Sequence, residues 1–284
     1  MIGACIKAYP IFYTDSMSFI SPPSHGFATT ALPATIFGTF LGQHEKGPNF
    51  MNLMAFGDIH EYLHPLASLA EPLKQADVVL VTGDMTRWRG PETAIKVLQA
   101  IMAYNPNVLA QVGNTDSWDI HHHLAQRGIN LHGQGHCYGE VGIFGVGGSN
   151  YTPFYTPVEF SEEEIADYLL AGYDMIKEAR YKILVAHCPP YQTAIDRIRS
   201  GLHVGSHSVR SFIETYQPDL CISGHIHEAP GEDTIGRTHL INPGMLAQGG
   251  YVTVTCTPEA LTAHRVPGHD TQHYSTSPFM PSSL

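Results

Sequence analysis

An apolar run that ends in glycine and a polar residue occurs three times in this chain, and this repeated pattern constrains the fold most. The runs are NLMAFGD at 52–58, DVVLVTGD at 77–84 and NVLAQVGN at 107–114. Each run is short, apolar and bounded by a turn signal, which predicts a buried strand. In open α/β sheets, ligands collect beyond the carboxyl ends of the strands. We therefore expect Asp58, Asp84 and Asn114 to lie together at one edge of a sheet.

Helical patterns separate these strands and continue along the chain, which predicts an α/β fold whose strands run largely parallel. The predicted helices cover 63–75, 91–104, 117–127, 161–179 and 208–216. The fourth begins after the N-cap residue Ser161, and Glu164 closes its capping box. Further strands are predicted in CYGEVGIFGVGG at 137–148 as a hairpin, in KILVAHCPP at 182–190, in DLCISGHIH at 219–227, and in short pieces through Val266.

The chain has three parts by composition. Residues 1–50 mix Pro, Gly, Ser and aromatic residues without a period, which predicts a poorly ordered leader. Residues 51–267 carry the α/β pattern, and their length fits one domain. Residues 268–284 are rich in Ser, Pro and Thr and predict a loose tail. The apolar stretch at 27–42 is too short and too interrupted to span a bilayer, so we expect no membrane segment.

Charge and cysteine content narrow the partners and the compartment. The net charge is −11, from 15 Lys and Arg against 26 Asp and Glu, and the basic residues do not cluster. A long nucleic acid is therefore disfavoured as a partner. A small anionic substrate needs a locally positive site such as bound metal, and 18 histidines make metal a candidate. Five scattered cysteines without a CxxC pair indicate no disulfide framework and predict a cytoplasmic location.

The polar residues at the predicted strand ends form five blocks, GDIH, GDM, GNTD, AHCPP and GHIH. Their side chains offer imidazole nitrogens, carboxylate oxygens and an amide oxygen, all of which suit a first-row metal. Taken singly, each residue is an ordinary turn former, helix cap or hydrogen-bonded histidine. Taken together, the blocks predict a metal site. The candidate ligands are Asp58, His60, Asp84, Asn114, His187, His225 and His227.

These five blocks resemble, in order, the motifs of the calcineurin-like metallophosphoesterases: Asp-x-His, Gly-Asp, Gly-Asn-x-Asp/Glu, a lone His and Gly-His-x-His. The resemblance implies a four-layer αββα sandwich of two mixed β-sheets flanked by helices. It also implies two divalent or trivalent ions as cofactors, with Mn, Fe, Zn and Mg left open. The family pattern assigns one ion to Asp58, His60 and His227, the other to Asn114, His187 and His225, and the bridging position to Asp84.

The same resemblance implies hydrolysis of small phosphodiesters or phosphomonoesters by a hydroxide that bridges the two ions. Asp116 and His225 are the predicted catalytic residues, although Asp116 alternatively orients its neighbours or only closes a turn. Many relatives carry histidine where this chain has Thr115, which donates no proton near neutral pH. Help for the leaving group then comes from Asp116, another histidine, water or the metals. A noncatalytic metal-binding scaffold and a nuclease are the alternative functions.

The stretch at 187–214 resembles a segment of uncharacterised prokaryotic members of this family. Two interpretations of its polar groups stay open: an anion pocket for substrate, or solvated arginines beside an ordinary helix cap. The residues concerned are Arg197, Arg199, His203, Arg210 and the helix start at 205–208. The predicted partner is a small phosphoester substrate, and the sequence does not specify an oligomeric state.

Two tryptophans and a run of three histidines follow motif loops. Trp88 and Trp118 either border the pocket or anchor packing. Consecutive residues on a helix point in different directions, so His121–His123 predict a solvated helix face rather than a ligand set.

Overall fold

The computed structural model describes residues 50–268, so the predicted leader and tail lie almost entirely outside the described residues. The strands are β1 Met51–Phe56, β2 Val78–Val81, β3 Val108–Ala110, β4 Gly135–Tyr138, β5 Val141–Val146, β6 Ser149–Asn150, β7 Glu159–Phe160, β8 Tyr181–Ala186, β9 Leu220–Ile222, β10 Gly231–Ile235, β11 Thr238–Asn242, β12 Tyr251–Cys256 and β13 Leu261–Val266. The α-helices are α1 Ala70–Gln75, α2 Pro91–Met102, α3 Trp118–Gln126, α4 Glu162–Asp174 and α5 His207–Tyr216, and 3-10 helices cover His64–Ala67 and Leu246–Gln248.

Two large mixed sheets form the centre of the fold. One has five strands in the order β13-β12-β1-β2-β3, and the other has six in the order β10-β11-β9-β8-β5-β4. Strands β1, β2 and β3 run parallel, and so do β5, β8, β9 and β11. The other pairs in these two sheets are antiparallel. The polar residues that were predicted to end the strands follow these parallel strands in each sheet.

The alternation of side chains along each strand produces the layers. In β1, Leu53 and Ala55 belong to an apolar cluster drawn from the strands of both sheets. Met54 and Phe56 belong to a second cluster that includes the buried residues of the helices. Successive strand residues point to opposite faces, so each sheet packs on the other sheet by one face and on helices by the other. This arrangement confirms the predicted four-layer αββα sandwich.

The first predicted helix is split in the structure. A 3-10 helix covers His64–Ala67, and α1 begins only at Ala70. Pro72 is the reason, because a continuous helix would press its ring against the carbonyl group of Ser68 and would need an N–H that proline lacks. The helical pattern at 63–75 is therefore present, but proline confines it to two short pieces.

The other local predictions are closer to the structure. At α4, the Ser161 hydroxyl accepts from the Glu164 N–H at 3.2 Å, and the Glu164 carboxylate accepts from the Ser161 N–H at 2.8 Å, which confirms the capping box. The predicted hairpin is the antiparallel pair β4 and β5. Helix α4 ends at Asp174, five residues before the predicted end at 179.

The predictions about disulfides and membrane segments can be compared with the structure within residues 50–268. The four cysteines there, Cys137, Cys188, Cys221 and Cys256, are unpaired. No helix in the same range has the length and apolar character required to cross a bilayer.

Candidate metal centre

The carboxyl ends of five parallel strands bring the candidate ligands together. Asp58, Asp84 and Asn114 lie in the loops that follow β1, β2 and β3 of the five-stranded sheet. His187 directly follows β8, and His225 and His227 follow β9, in the six-stranded sheet. The two sheets are stacked on a shared core, so these loops meet at one end of the sandwich. The seven predicted ligands, with His60 in the loop after β1 among them, therefore lie close together at this end.

The first donor set contains two imidazoles and two carboxylates. His60 Nε2 lies 3.2 Å from His227 Nε2 and 3.6 Å from Asp84 Oδ2. His227 Nε2 lies 3.4 Å from Asp58 Oδ1. One ligand atom from each of the four residues lies within 4.8 Å of the others. Nitrogen and oxygen lone pairs this close together suit a bound cation.

The second donor set is arranged around Asn114. Its Oδ1 atom lies 3.1 Å from His187 Nε2 and 2.9 Å from His225 Nδ1. Asp84 Oδ1 lies 3.5 Å from His187 Nε2. Asp84 thus directs Oδ2 towards the first set and Oδ1 towards the second. Both sets offer the nitrogen and oxygen donors that first-row metals bind, so they fit the predicted metals.

Neighbouring groups orient these ligands. His187 Nδ1 is 3.1 Å from the Thr82 carbonyl oxygen, which directs Nε2 into the site. Asn114 Nδ2 donates to the Thr156 hydroxyl at 3.1 Å, which turns the amide oxygen towards the two imidazoles. The His225 N–H lies 3.1 Å from each carboxylate oxygen of Asp58. Such outer hydrogen bonds fix the orientation of metal ligands.

Four of the ligands have an unusual backbone conformation. Their φ angles are positive: 47° for Asp58, 46° for His60, 53° for Asp84 and 66° for His225. The left-handed region is uncommon for residues other than glycine, although Asp, Asn and His tolerate it better than most. Local strain of this kind concentrates at functional sites, where the surrounding structure holds it in place. The loops are therefore shaped to present these side chains.

The motif glycines allow the loops to touch. A Cβ atom on Gly224 would lie 2.7 Å from Asp58 Oδ2, and one on Gly83 would lie 2.8 Å from the backbone of Gly113. Gly83 also has a φ of 122°, which only glycine adopts readily. The glycine in each of these blocks is therefore a packing requirement of the site.

The buried charges in the site compensate one another. Burial raises the pKa of Asp58 and Asp84, but their histidine neighbours outweigh it and hold both pKa values below the usual range. Burial lowers the pKa of His187, but the charge of Asp84 overcomes this and raises the pKa to about 9. Burial and the charge of His187 lower the pKa of His225 to about 4. A proton on His187 therefore balances carboxylate charge, and a metal ion would take over that role.

Metal binding should release protons. For protein stripped of metal by chelation, the raised pKa of His187 means that this imidazole carries a proton below about pH 9. A metal ligand must be neutral, so apparent Zn²⁺ affinity should rise about tenfold per pH unit for each proton displaced as pH increases from 6.5. Calorimetric titration in two buffers of different ionisation enthalpy measures the protons released. His187→Asn should release one fewer, and a heat independent of the buffer would contradict the assignment.

The contacts of Asp116 favour the predicted alternative, in which it orients its neighbours, over the catalytic role. Its carboxylate is fully buried and accepts hydrogen bonds from the Met85, Thr86 and Gly113 N–H groups and the Thr86 hydroxyl, at 2.8 to 3.1 Å. Burial and the nearby charge of Asp84 raise its pKa to about 6. Four donors occupy both oxygens, so Asp116 ties the second and third blocks together and has no free oxygen for a leaving group.

Thr115 is also fully engaged. Its hydroxyl donates to the Thr86 carbonyl oxygen at 2.8 Å, and its N–H donates to Asp84 Oδ1 at 2.9 Å. The prediction that Thr115 does not protonate a leaving group agrees with this geometry. Of the predicted sources of help for the leaving group, another histidine, water and the metals do not depend on Thr115 or Asp116.

The predicted anion pocket at the start of α5 is filled by a side chain of the protein. The Glu162 carboxylate accepts from the Ser206 hydroxyl at 2.6 Å and from the His207 and Ser208 N–H groups at 3.1 and 2.8 Å. Ser206 also caps the helix by accepting from the Val209 N–H. The helix-cap interpretation therefore describes this segment, and the free N–H groups that a substrate anion would need are already bonded.

The basic residues of the same segment are similarly engaged. Arg210 donates to the Tyr191 and Gln192 carbonyl oxygens at 2.8 and 3.0 Å and pairs with Glu214. His203 Nδ1 lies 2.5 Å from the buried Asp196 carboxylate. Arg210 and His203, the predicted substrate residues, therefore both have partners within the protein. Arg197 is exposed and faces His203 across an antiparallel bridge, and Arg199 pairs with Glu228.

The two tryptophans have different environments in the structure. Trp118 stacks on His121 at a ring separation of 4.2 Å and meets Phe160 edge-on, so it anchors packing. His122 is exposed, whereas His121 and His123 are half-buried, so the predicted solvated helix face holds for the middle histidine alone. Trp88 is half exposed in the loop between β2 and α2.

One buried polar residue next to the site was not singled out from the sequence. Gln111 Nε2 lies 3.0 to 3.3 Å from the carbonyl oxygens of Thr82, Val146 and Val185. These carbonyls belong to both sheets, so Gln111 links the strand ends that carry Asp84 and His187. A glutamine inside the otherwise apolar run NVLAQV was the available signal.

Histidine, aspartate and asparagine side chains gathered at the strand ends of a four-layer αββα sandwich define a candidate metal-binding protein of the α/β class. The family model described as calcineurin-like phosphoesterase matches residues 51–229. The chain therefore belongs to the calcineurin-like phosphoesterase family, as the sequence motifs predicted.

Individual relatives agree with this assignment. The uncharacterised protein MJ1162 of Methanocaldococcus jannaschii is 34% identical over 198 residues, which cover 68% of this chain and 88% of the relative. TT1561 of Thermus thermophilus has a TM-score of 0.58 at 18% identity, over 75% of this chain and 98% of that one. A dimetal phosphatase from Danio rerio has a TM-score of 0.56 at 11% identity, over 76% and 95%. At these identities the two solved structures show a shared fold.

Proposed function

We propose that this protein is a two-metal phosphoesterase that hydrolyses small phosphodiesters or phosphomonoesters. The observation that carries the proposal is Asp84, whose two carboxylate oxygens face separate donor sets. The first set is Asp58, His60 and His227, and the second is Asn114, His187 and His225. The description of the Danio rerio relative as a dimetal phosphatase supports two ions for this fold.

The residues of the chain would hold the reacting groups in place. Ions bound in the two donor sets would supply an activated water and neutralise charge on the phosphoryl oxygens. Asp84 fixes the relation between the two sets, and His187 and Asn114 are held rigid by Thr82 and Thr156. In a chain with a net charge of −11, such a centre provides the local positive charge that a phosphate ester needs. A cytoplasmic location remains part of this proposal.

Hydrolysis of bis(p-nitrophenyl) phosphate and p-nitrophenyl phosphate tests the proposal. Chelated protein should be inactive towards both esters, and Mn²⁺, Mg²⁺, Zn²⁺ or Fe²⁺ should restore turnover of at least one of them. Metal content per chain, measured by elemental analysis, should approach two. Full metal loading with no turnover of either ester would favour the alternative of a noncatalytic metal-binding scaffold. Turnover restricted to long nucleic acids would instead favour a nuclease.

A further inference from the structure

Two exposed aromatic side chains belong to segments that are hydrogen-bonded to the loop that carries Asn114. Trp88 is 50% exposed, and Tyr155 is 85% exposed. Trp88 lies in the loop between β2 and α2, and Tyr155 lies in the loop between β6 and β7. Exposed aromatic side chains that adjoin a site are a feature of ligand-binding surfaces. Neither residue is a metal ligand, and neither has a part in the proposed chemistry so far.

Both residues have left-handed backbone conformations. The φ angle is 56° for Trp88 and 52° for Tyr155. A bulky aromatic residue rarely adopts this region, and strain of this kind persists where the surrounding structure enforces it. An exposed side chain recovers little of that cost through packing. The conformations therefore point to a role outside the stability of the fold.

Hydrogen bonds tie the Trp88 segment to Thr115 and the Tyr155 segment to the adjacent residue, Asn114. The Trp88 N–H donates to the Thr115 carbonyl oxygen at 2.9 Å. Tyr155 directly precedes Thr156, whose hydroxyl accepts from Asn114 Nδ2 at 3.1 Å. The positions of Trp88 and Tyr155 are thus fixed relative to a candidate ligand of the second donor set.

Two arginines flank Trp88 in the sequence RWR. The guanidinium carbon of Arg87 lies 4.5 Å from the centroid of the Tyr62 ring, and Arg89 Nε lies 3.9 Å from Glu61 Oε1. The chain has only 15 Lys and Arg, and two of them adjoin this exposed indole in sequence, with the Glu61 carboxylate beside both. An exposed indole with arginines next to it in sequence fits a ligand that has both a planar ring and negative charge.

We propose that the substrate is a nucleotide-type phosphoester, and that Trp88 and Tyr155 contact its planar base while the metal centre takes its phosphoryl group. This inference rests on the proposed function. Aromatic side chains stack on any base, because every base has a π-face. Trp88 and Tyr155 would therefore select for a planar aromatic group, with little discrimination between one base and another.

Fluorescence of Trp88 provides a test that does not depend on turnover. The chain has two tryptophans, so Trp118→Phe leaves Trp88 as the single indole. Titration of Mg²⁺-loaded protein with AMP should quench the emission in a saturable manner, whereas ribose 5-phosphate, which lacks the base, should not. Equal effects of the two compounds, or no effect of either, would overturn the proposal.

Calorimetry on otherwise unaltered protein covers the case in which Trp118→Phe does not fold. Trp88→Ala and Tyr155→Ala should each raise the dissociation constant for AMP about tenfold, which corresponds to the loss of one stacking contact. Tyr138→Ala is the matched control, since Tyr138 is an exposed aromatic on β4, and should leave AMP binding unchanged. Unchanged AMP affinity in both test variants would reject the base contact. If p-nitrophenyl esters are still hydrolysed in that case, the base contact fails and the proposed phosphoesterase function stands. If AMP binds through Trp88 and Tyr155 but no ester is hydrolysed, the base contact stands and the phosphoesterase function fails.

Discussion

Asp84→Asn should reduce metal-dependent phosphoester hydrolysis by about 10³-fold or more. Asparagine keeps the size of the side chain, and its amide oxygen can still accept from the Thr115 N–H that now bonds Asp84 Oδ1 at 2.9 Å. It lacks the second negatively charged oxygen, so the two donor sets lose their shared ligand. Several kcal/mol of charge stabilisation by metal depend on that ligand, and about 1.4 kcal/mol corresponds to each factor of ten in rate.

The measurement is kcat/KM for bis(p-nitrophenyl) phosphate together with metal content per chain. Asp119→Asn is the matched control, because Asp119 is an exposed acidic residue in the first turn of α3 and undergoes the same change of charge. The control should keep both the rate and the metal content of the parent protein. Parental activity in Asp84→Asn would rule out a bridging role for this carboxylate.

Gly113→Ala should remove metal binding and destabilise the protein, although Gly113 contacts no metal. A Cβ atom at this position would lie 2.1 Å from Asp84 Oδ1 and 2.3 Å from the Asp84 backbone nitrogen. A clash with backbone cannot be relieved by rotation of a side chain, so the β2 and β3 loops must separate. Overpacking of this kind costs about 1–3 kcal/mol or more in the free energy of unfolding. Displacement of Asp84 should lower metal affinity by at least about 10–100-fold.

Urea unfolding and Zn²⁺ titration of the same variant measure the two effects. Gly231→Ala serves as the control, because a Cβ atom on Gly231 meets no atom within 4 Å. Its unfolding midpoint and metal affinity should match those of the parent. Normal metal affinity in Gly113→Ala would show that the loops tolerate separation, and the close approach would then be irrelevant to the site.

Local pattern was sufficient for much of this site. The polar residues that end the apolar runs are the residues that the structure brings together, because the carboxyl ends of neighbouring parallel strands lie side by side. Glycine also ends each of these runs, and the structure shows how closely Gly83 and Gly113 approach the ligand loops. The split of the first helix was also encoded locally, because Pro72 interrupts a stretch whose helical period is otherwise continuous.

The roles of single polar residues were harder to predict from the sequence. Asp116 could be a catalytic acid or the organiser of a turn, and the outcome depended on Met85, Thr86 and Gly113, two of which lie about thirty positions away along the chain. The start of α5 could bind an anion, and Glu162, more than forty positions earlier, supplied that anion from within the protein. Each of these partners was set by how the sheets and helices pack.

By itself the sequence determined which residues are buried in strands, where the chain turns and which ligand types follow each strand, because these depend on neighbouring side chains and backbone preferences. Tertiary structure alone decided which hydrogen-bonding groups are already satisfied, and it brought the segments of the exposed Trp88 and Tyr155 to Thr115 and Asn114. The physical reason is range: burial and turn propensity act over a few residues, whereas a carboxylate finds its donors only after distant strands have paired in register.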